Sequence, residues 1–283
     1  MTTMMCIWLS YGSFSVALSV TIFSLLQFHP KLQTLFYRLV QFDILMNLIF
    51  YLNCFTFKLE TDSTYKIVLH SVFENYPMLL YIRNSLALWA FHIQCASLIL
   101  KCIFRYTYAK YQFASQIWKK HFVIIILVTI AYSLVIIVPF KYALSIEAEI
   151  DYYAILMNAE TGVYFILTVW IWYLTKLALK KRSDQFVKSI SKLNYYLMCD
   201  CVIHIIIFFG ILIPMVIFPE WSDVTKNYVL VFVVDVINLS SPYILIICDS
   251  NVRELFSCKL KSTDQFFKSS AVVSVHASSN RVN

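Results

Sequence analysis

The chain has 283 residues, 60% hydrophobic, 17% aromatic and only 14% charged, with a formal net charge of +7. A soluble domain carries about 25% charged residues, so there is too little polar surface here to cover a water-exposed globule. Gly (3) and Pro (6) are scarce and the apolar runs are long and unbroken, which excludes a membrane β-barrel built from alternating strands of about ten residues.

A membrane-crossing helix needs about 20 mostly apolar residues, and seven segments supply them. Met5–Phe28 is uncharged throughout. Its leader carries no positive charge and its apolar run is too long for a cleaved signal, so it reads as a retained helix. Phe36–Phe57 follows, interrupted only by Asp43. Leu79–Phe104 has Arg83 near its start and Lys101 near its end. His121–Phe140 is uncharged and rich in Ile and Val. Tyr153–Leu174 contains Glu160, Leu193–Phe218 contains Asp200 and Pro214, and Tyr228–Cys248 contains Asp235 and Pro242. The fold class is an all-α membrane protein, a seven-transmembrane helix bundle.

Orientation follows from Lys and Arg near the span ends. Seventeen of them fall in Phe28–Leu35, at Arg38, and in Arg105–Lys120, Thr175–Lys192 and Asp249–Asn283. The opposite segments, Lys58–Met78, Lys141–Tyr152 and Pro219–Asn227, hold four, with eight acids. The bias places the basic set in the cytosol and the N-terminus outside. The net positive charge is thus a topology signal and a match for anionic membrane lipid, not a nucleic-acid footprint.

Ionisable groups at membrane depth are costly and usually face the bundle interior. Two groupings are expected. Arg83, Glu160 and Asp235 would surround an outer ligand pocket. Asp43, Asn47 and Asn238 would form a deeper polar network, since Asp43 and Asn47 share a helix face, as do Asp235, Asn238 and Pro242. The alternative is that each only makes a structural interhelical hydrogen bond, or, for Arg83 and Glu160, that they lie in water at the interface. Tyr76, Tyr81 and Tyr228 fit an interfacial aromatic belt.

After the last span, Asp249-Ser-Asn-Val-Arg253-Glu-Leu-Phe256 reads as a short amphipathic helix on the membrane surface, capped by Asp249 or Ser250 and apolar at Val252, Leu255 and Phe256. Cys258 is placed for palmitoylation, though a plain free thiol explains it equally. Residues 1–256 form the bundle with this cytosolic helix, and 257–283 a Ser-rich cytosolic tail expected to be disordered. No Cys-x-x-Cys pair and no His/Glu ligand spacing is present. No metal, cofactor or enzyme activity is expected.

Several positions resemble the rhodopsin-like G-protein-coupled receptors. Leu39-x-x-x-Asp43 looks like their second-helix motif. Phe104-Arg105-Tyr106 resembles Asp-Arg-Tyr with the acid replaced by Phe. Phe208 and Pro214 keep the outer members of the sixth-helix motif, and Ser241-Pro242-x-x-Leu245 stands where Asn-Pro-x-x-Tyr would be. The usual disulfide partner in the second outer loop is absent. This eroded pattern, with the ending Ser-Pro-Tyr-Ile-Leu-Ile-Ile, resembles the nematode serpentine chemoreceptors, leaning toward the Srbc type. The resemblance implies a plasma-membrane chemosensory receptor that binds an external small molecule and activates a heterotrimeric G protein. Arg105 and Tyr106 would serve coupling, and Pro214 and Pro242 would serve as helix bends. A retinal protein is excluded because the seventh span has no lysine. A transporter or a ligand-gated channel is the alternative, weakened by the odd span count and the charge bias.

Overall fold

The computed structural model describes residues 3–111, 113–145, 150–180, 195–204, 206 and 223–257. Every regular element among them is helical. α1 (Thr3–Phe28) leads through a 3-10 turn (Pro30–Leu32) to α2 (Leu35–Thr61), followed by α3 (Ser63–Asn75), α4 (Pro77–Lys110), α5 (Ala114–Ser145) and α6 (Ile150–Leu179). α7 is described over 195–204, α8 is Asp223–Cys248, and α9 covers 250–257. Among the described residues, six stretches are long and apolar enough to cross a membrane. The remaining span, expected at Leu193–Phe218, coincides with α7 where it is described. Pro214, Phe208, Cys258 and the tail from 258 onward lie outside the described residues.

Local chemistry sets the breaks. The backbone N–H of Asp62 closes the last turn of α2 on Leu59, at 3.3 Å, while its carboxylate accepts from the N–H of Thr64 at 3.1 Å. One residue thus ends α2 and caps α3. Pro77 stands in the first turn of α4, where its missing N–H costs nothing. Asp249 caps α9 through its Oδ1, which accepts from the N–H of Asn251 at 2.9 Å.

α2 and α4 form the centre. α4 packs on α2, α5 and α6, and α2 also packs on α1 and α8. α5 turns Val123, Ile124, Leu127, Val128, Val135 and Val138 outward. Apolar surface of this extent is unsuited to water and forms the lipid-facing side of a multi-pass membrane protein. Inside, the end of the bundle away from the α1 N-terminus holds the larger core, with Leu26, Leu32, Phe36, Leu39, Phe104, Trp118, Leu197 and Leu245. Phe104 meets Trp118 edge-on at 5.0 Å and Phe36 meets Tyr196 at 6.0 Å. Among the described residues, the end that carries the α1 N-terminus has a smaller buried apolar cluster, Phe50, Ala90 and Ile93. In lipid, apolar burial no longer drives helices together, so packing and polar contacts decide how this bundle closes.

Two expectations change here. The segment Lys58–Met78 is not a plain loop: α2 runs to Thr61 and α3 fills most of the rest. The apolar stripe of α9 also turns inward. Val252 is fully buried, and Leu255 and Phe256 pack on the bundle core, because Tyr37 donates to Asp249 Oδ2 at 2.7 Å and fixes where α9 begins.

Candidate functional site

The interior is crossed by one continuous polar network. On α2, Asp43 and Asn47 are one turn apart. On α4, Gln94, Ser97 and Lys101 follow at intervals of three and four residues, so they share a face. On α8, Asn238 and Ser241 do the same. Ser97 donates to Asp43 Oδ1 at 2.7 Å, and Ser241 donates to Asp43 Oδ2 at 3.1 Å. Lys101 Nζ lies 3.0 Å from Asp43 Oδ2 and 2.6 Å from Asp200 Oδ2 on α7. Gln94 donates to Asn47 at 2.8 Å and to Asn238 at 2.6 Å, and Asn47 donates to Ser241 at 3.4 Å. Asp43, Asn47 and Asn238 are therefore brought into one network, which Gln94 and Ser241 bridge.

Its centre is a triad of charges, Asp43–Lys101–Asp200, with Lys101 and Asp200 each only 1% exposed. An ammonium in this position is tolerable only because two carboxylates and the hydroxyls around them replace its hydration shell. The triad ties α7 to α2 and α4. Pro242 lies inside α8, four residues after Asn238, so it removes the helix bond that would reach the Asn238 carbonyl. The helix ladder is thereby weakened where the network meets α8.

One turn beyond Lys101, Arg105 is 3% exposed, with its guanidinium 4.6 Å from the centre of the Phe36 ring. Tyr106 points the other way, at the surface, where Lys110 donates to its hydroxyl at 2.8 Å. The two neighbours chosen together from sequence thus have opposite surroundings.

Arg83, Glu160 and Asp235 do not meet. Each has its own partner. Arg83 pairs with Glu60, its guanidinium between the rings of Phe57 at 4.3 Å and Phe73 at 4.7 Å. Glu160 pairs with His92 at 2.8 Å. Asp235 pairs with the fully buried Lys58 at 2.7 Å and accepts from the Tyr11 hydroxyl. The correction has a simple cause. Because α2 continues to Thr61, it delivers Lys58 to α8 and Glu60 to α4, side chains that belong to a loop on the sequence reading. His92 sits on the α6 side of α4, where it reaches Glu160.

Lys101, Asp200, Gln94, Ser97 and Lys58 are the residues that sequence reasoning did not assign to a site. The i, i+3, i+7 spacing of Gln94, Ser97 and Lys101 was the available signal. Among the described residues, no group of three or more His, Cys, Asp or Glu side chains could hold a metal ion.

A seven-span helical bundle closed by buried charges, with an inward-packed helix after the last span, defines the serpentine membrane receptors as its class. The model of the Srg family of chemoreceptors matches residues 5–256, and the chain belongs to that family, a family of receptors rather than enzymes. It is similar to serpentine receptor class gamma-53 of Caenorhabditis elegans, 24% identical over 275 residues that cover 90% of this chain and 91% of that protein. It is also similar to serpentine receptor class gamma-47 of the same organism, 23% identical over 278 residues that cover 88% of each. No solved structure matches. The leaning toward the Srbc type finds no support; the matching family is Srg.

Proposed function

We propose that this chain is a chemosensory receptor of the plasma membrane, with its N-terminus extracellular, that binds an external small molecule and activates a heterotrimeric G protein. The charge bias of the loops supports the orientation. The ligand side is then the half that holds the Lys58–Asp235, Arg83–Glu60 and His92–Glu160 pairs. The G-protein side holds Arg105 and the basic segment between α6 and α7.

One observation carries the mechanism: the triad fastens α7 to α2 and α4 one helical turn from Arg105. A ligand changes a receptor only through a difference in affinity for two packings. In one packing, Lys101 holds Asp200 and Arg105 stays under Phe36. In the other, α8 gives way at Pro242, α7 moves off α2 and α4, the Lys101–Asp200 contact opens, and Arg105 reaches the G protein. A reporter of G-protein activation in cells, driven by a screen of water-soluble and volatile metabolites, tests this. Arg105→Ala and Arg105→Gln are expected to abolish the evoked signal while surface expression persists; full signalling in either variant sinks the mechanism. Tags on the two termini test orientation separately, and a cytosolic N-terminus overturns it.

A further inference from the structure

Arg105 is a buried guanidinium, and the residue before it is Phe104 rather than an acid. A cation enclosed in a bundle is tolerated when an opposite charge lies close to it. The foot of α2 brings both kinds of charge together through two adjacent residues. Phe36 lies 4.6 Å from the Arg105 guanidinium, a cation–π contact. Tyr37, the next residue, donates to Asp249 Oδ2 at 2.7 Å, and Asp249 is itself buried. Neighbouring side chains of one helix thus hold a cation and an anion, and Asp249 is close enough for its charge to favour the guanidinium. Two other arginines stand near these residues in the chain, but both are turned to neutral acceptors. Arg38 donates to Gln27 and Gln41, and Arg253 donates to the Ile247 carbonyl.

The hydrogen bonds of Asp249 fix its place without cancelling its charge. Oδ1 accepts from the N–H groups of Asn251 at 2.9 Å and Val252 at 3.4 Å, which starts α9. Oδ2 takes the Tyr37 hydroxyl. Asp249 also continues directly from the part of α8 beyond Pro242, and its own N–H bonds the Leu245 carbonyl at 2.9 Å. A bend at Pro242 therefore carries Asp249 with it.

We infer that Asp249 is a positioning residue for Arg105: its carboxylate is the counter-charge that keeps the guanidinium under Phe36, and the same carboxylate ties the start of α9 to the burial of Arg105. When Asp249 moves away, Arg105 loses its counter-charge and is driven toward cytosolic water. When Arg105 leaves, Asp249 is the stranded charge and the first turn of α9 loosens. Linkage makes these two effects equal in free energy. The signalling consequence rests on the reading of Arg105 as the G-protein contact; the physical coupling does not.

The test is a double-mutant cycle on the purified full chain in lipid nanodiscs, read as the thermal unfolding midpoint. Asp249→Asn removes the charge alone: its oxygen can still cap α9, since Asn caps as well as Asp, and its amide can donate to the Tyr37 hydroxyl. D249N and R105Q are each expected to lower the midpoint. Together they are expected to lower it by clearly less than the sum, because neither charge is then left alone. Hydrogen exchange at the Asn251 and Val252 amides is the second readout. R105Q is expected to speed it, and R105K, which keeps the charge, to leave it near that of the parent chain. If Asp249 only caps α9, D249N is silent and the cycle additive; either result overturns the inference, as does unchanged exchange in R105Q. Should D249N fail to fold, the exchange comparison of R105Q with R105K decides by itself. In cells, D249N is expected to raise G-protein signalling in the absence of ligand. Coupling in the cycle without signalling from any variant would instead sink the receptor reading and leave the Asp249–Arg105 pair standing.

Discussion

Lys101 and Lys58 are both ammonium groups enclosed in a bundle that offers them little or no water, yet their surroundings differ. Lys101 is shared by two carboxylates from α2 and α7 and belongs to a network that also reaches α8. Lys58 has one carboxylate and three aromatic rings. The first arrangement joins helices and leaves little for a small molecule to add. The second holds fewer elements together. The difference places the tighter fastening in the half of the bundle with the large apolar core.

The sharpest way to break this contrast is Lys101→Met. It leaves Asp43 and Asp200 facing each other without a cation, and loss of one partner in a buried ion pair costs about 3–5 kcal/mol. The expected result is little folded protein at the cell surface and a large fall in the unfolding midpoint of what remains. Adding D43N and D200N should restore much of the midpoint. If Lys101→Met alone is neutral, the triad does not fasten α7.

Gly12→Ala probes the other half. Its methyl group overlaps the Tyr51 hydroxyl, and overpacking of this kind costs about 1–3 kcal/mol. A lowered midpoint is expected, and Tyr51→Phe in the same chain should recover part of it by removing the atom that clashes.

The smallest effect belongs to the pairs nearest the surface. Arg83→Met removes a pair whose acid, Glu60, is 35% exposed, together with ring contacts that hold α3. Such a change is worth about 1 kcal/mol, read as a modest drop in midpoint. His70→Ala should leave the midpoint unchanged, because His70 and Glu74 are both largely exposed and water already solvates them.

Much of the frame was legible in the chain. The apolar runs, the capping aspartates and Pro77 mark helix ends because these signals act within a few residues. Asp43, Asn47 and Asn238 could be grouped because helical spacing shows which side chains share a face. Partner choice was another matter. Arg83, Glu160 and Asp235 looked like one cluster, since all three are charged groups toward the same end of their spans. What separated them was the extra length of α2, which brought Lys58 and Glu60 into reach. Asp200 and Lys101, 99 residues apart in the chain, gave no local sign of meeting.

The sequence by itself determined that this protein crosses a membrane repeatedly, and the direction its charge bias favours, because transfer into lipid depends on composition over each run of about 20 residues. Only the tertiary structure decided which buried charges neutralise one another. That choice depends on helix rotation and on where each helix ends, and a shift of one turn, about 5.4 Å, is enough to exchange one partner for another. The seven helices and their spacing were written locally; the triad at Lys101 and the caged Lys58 exist only once those helices are packed.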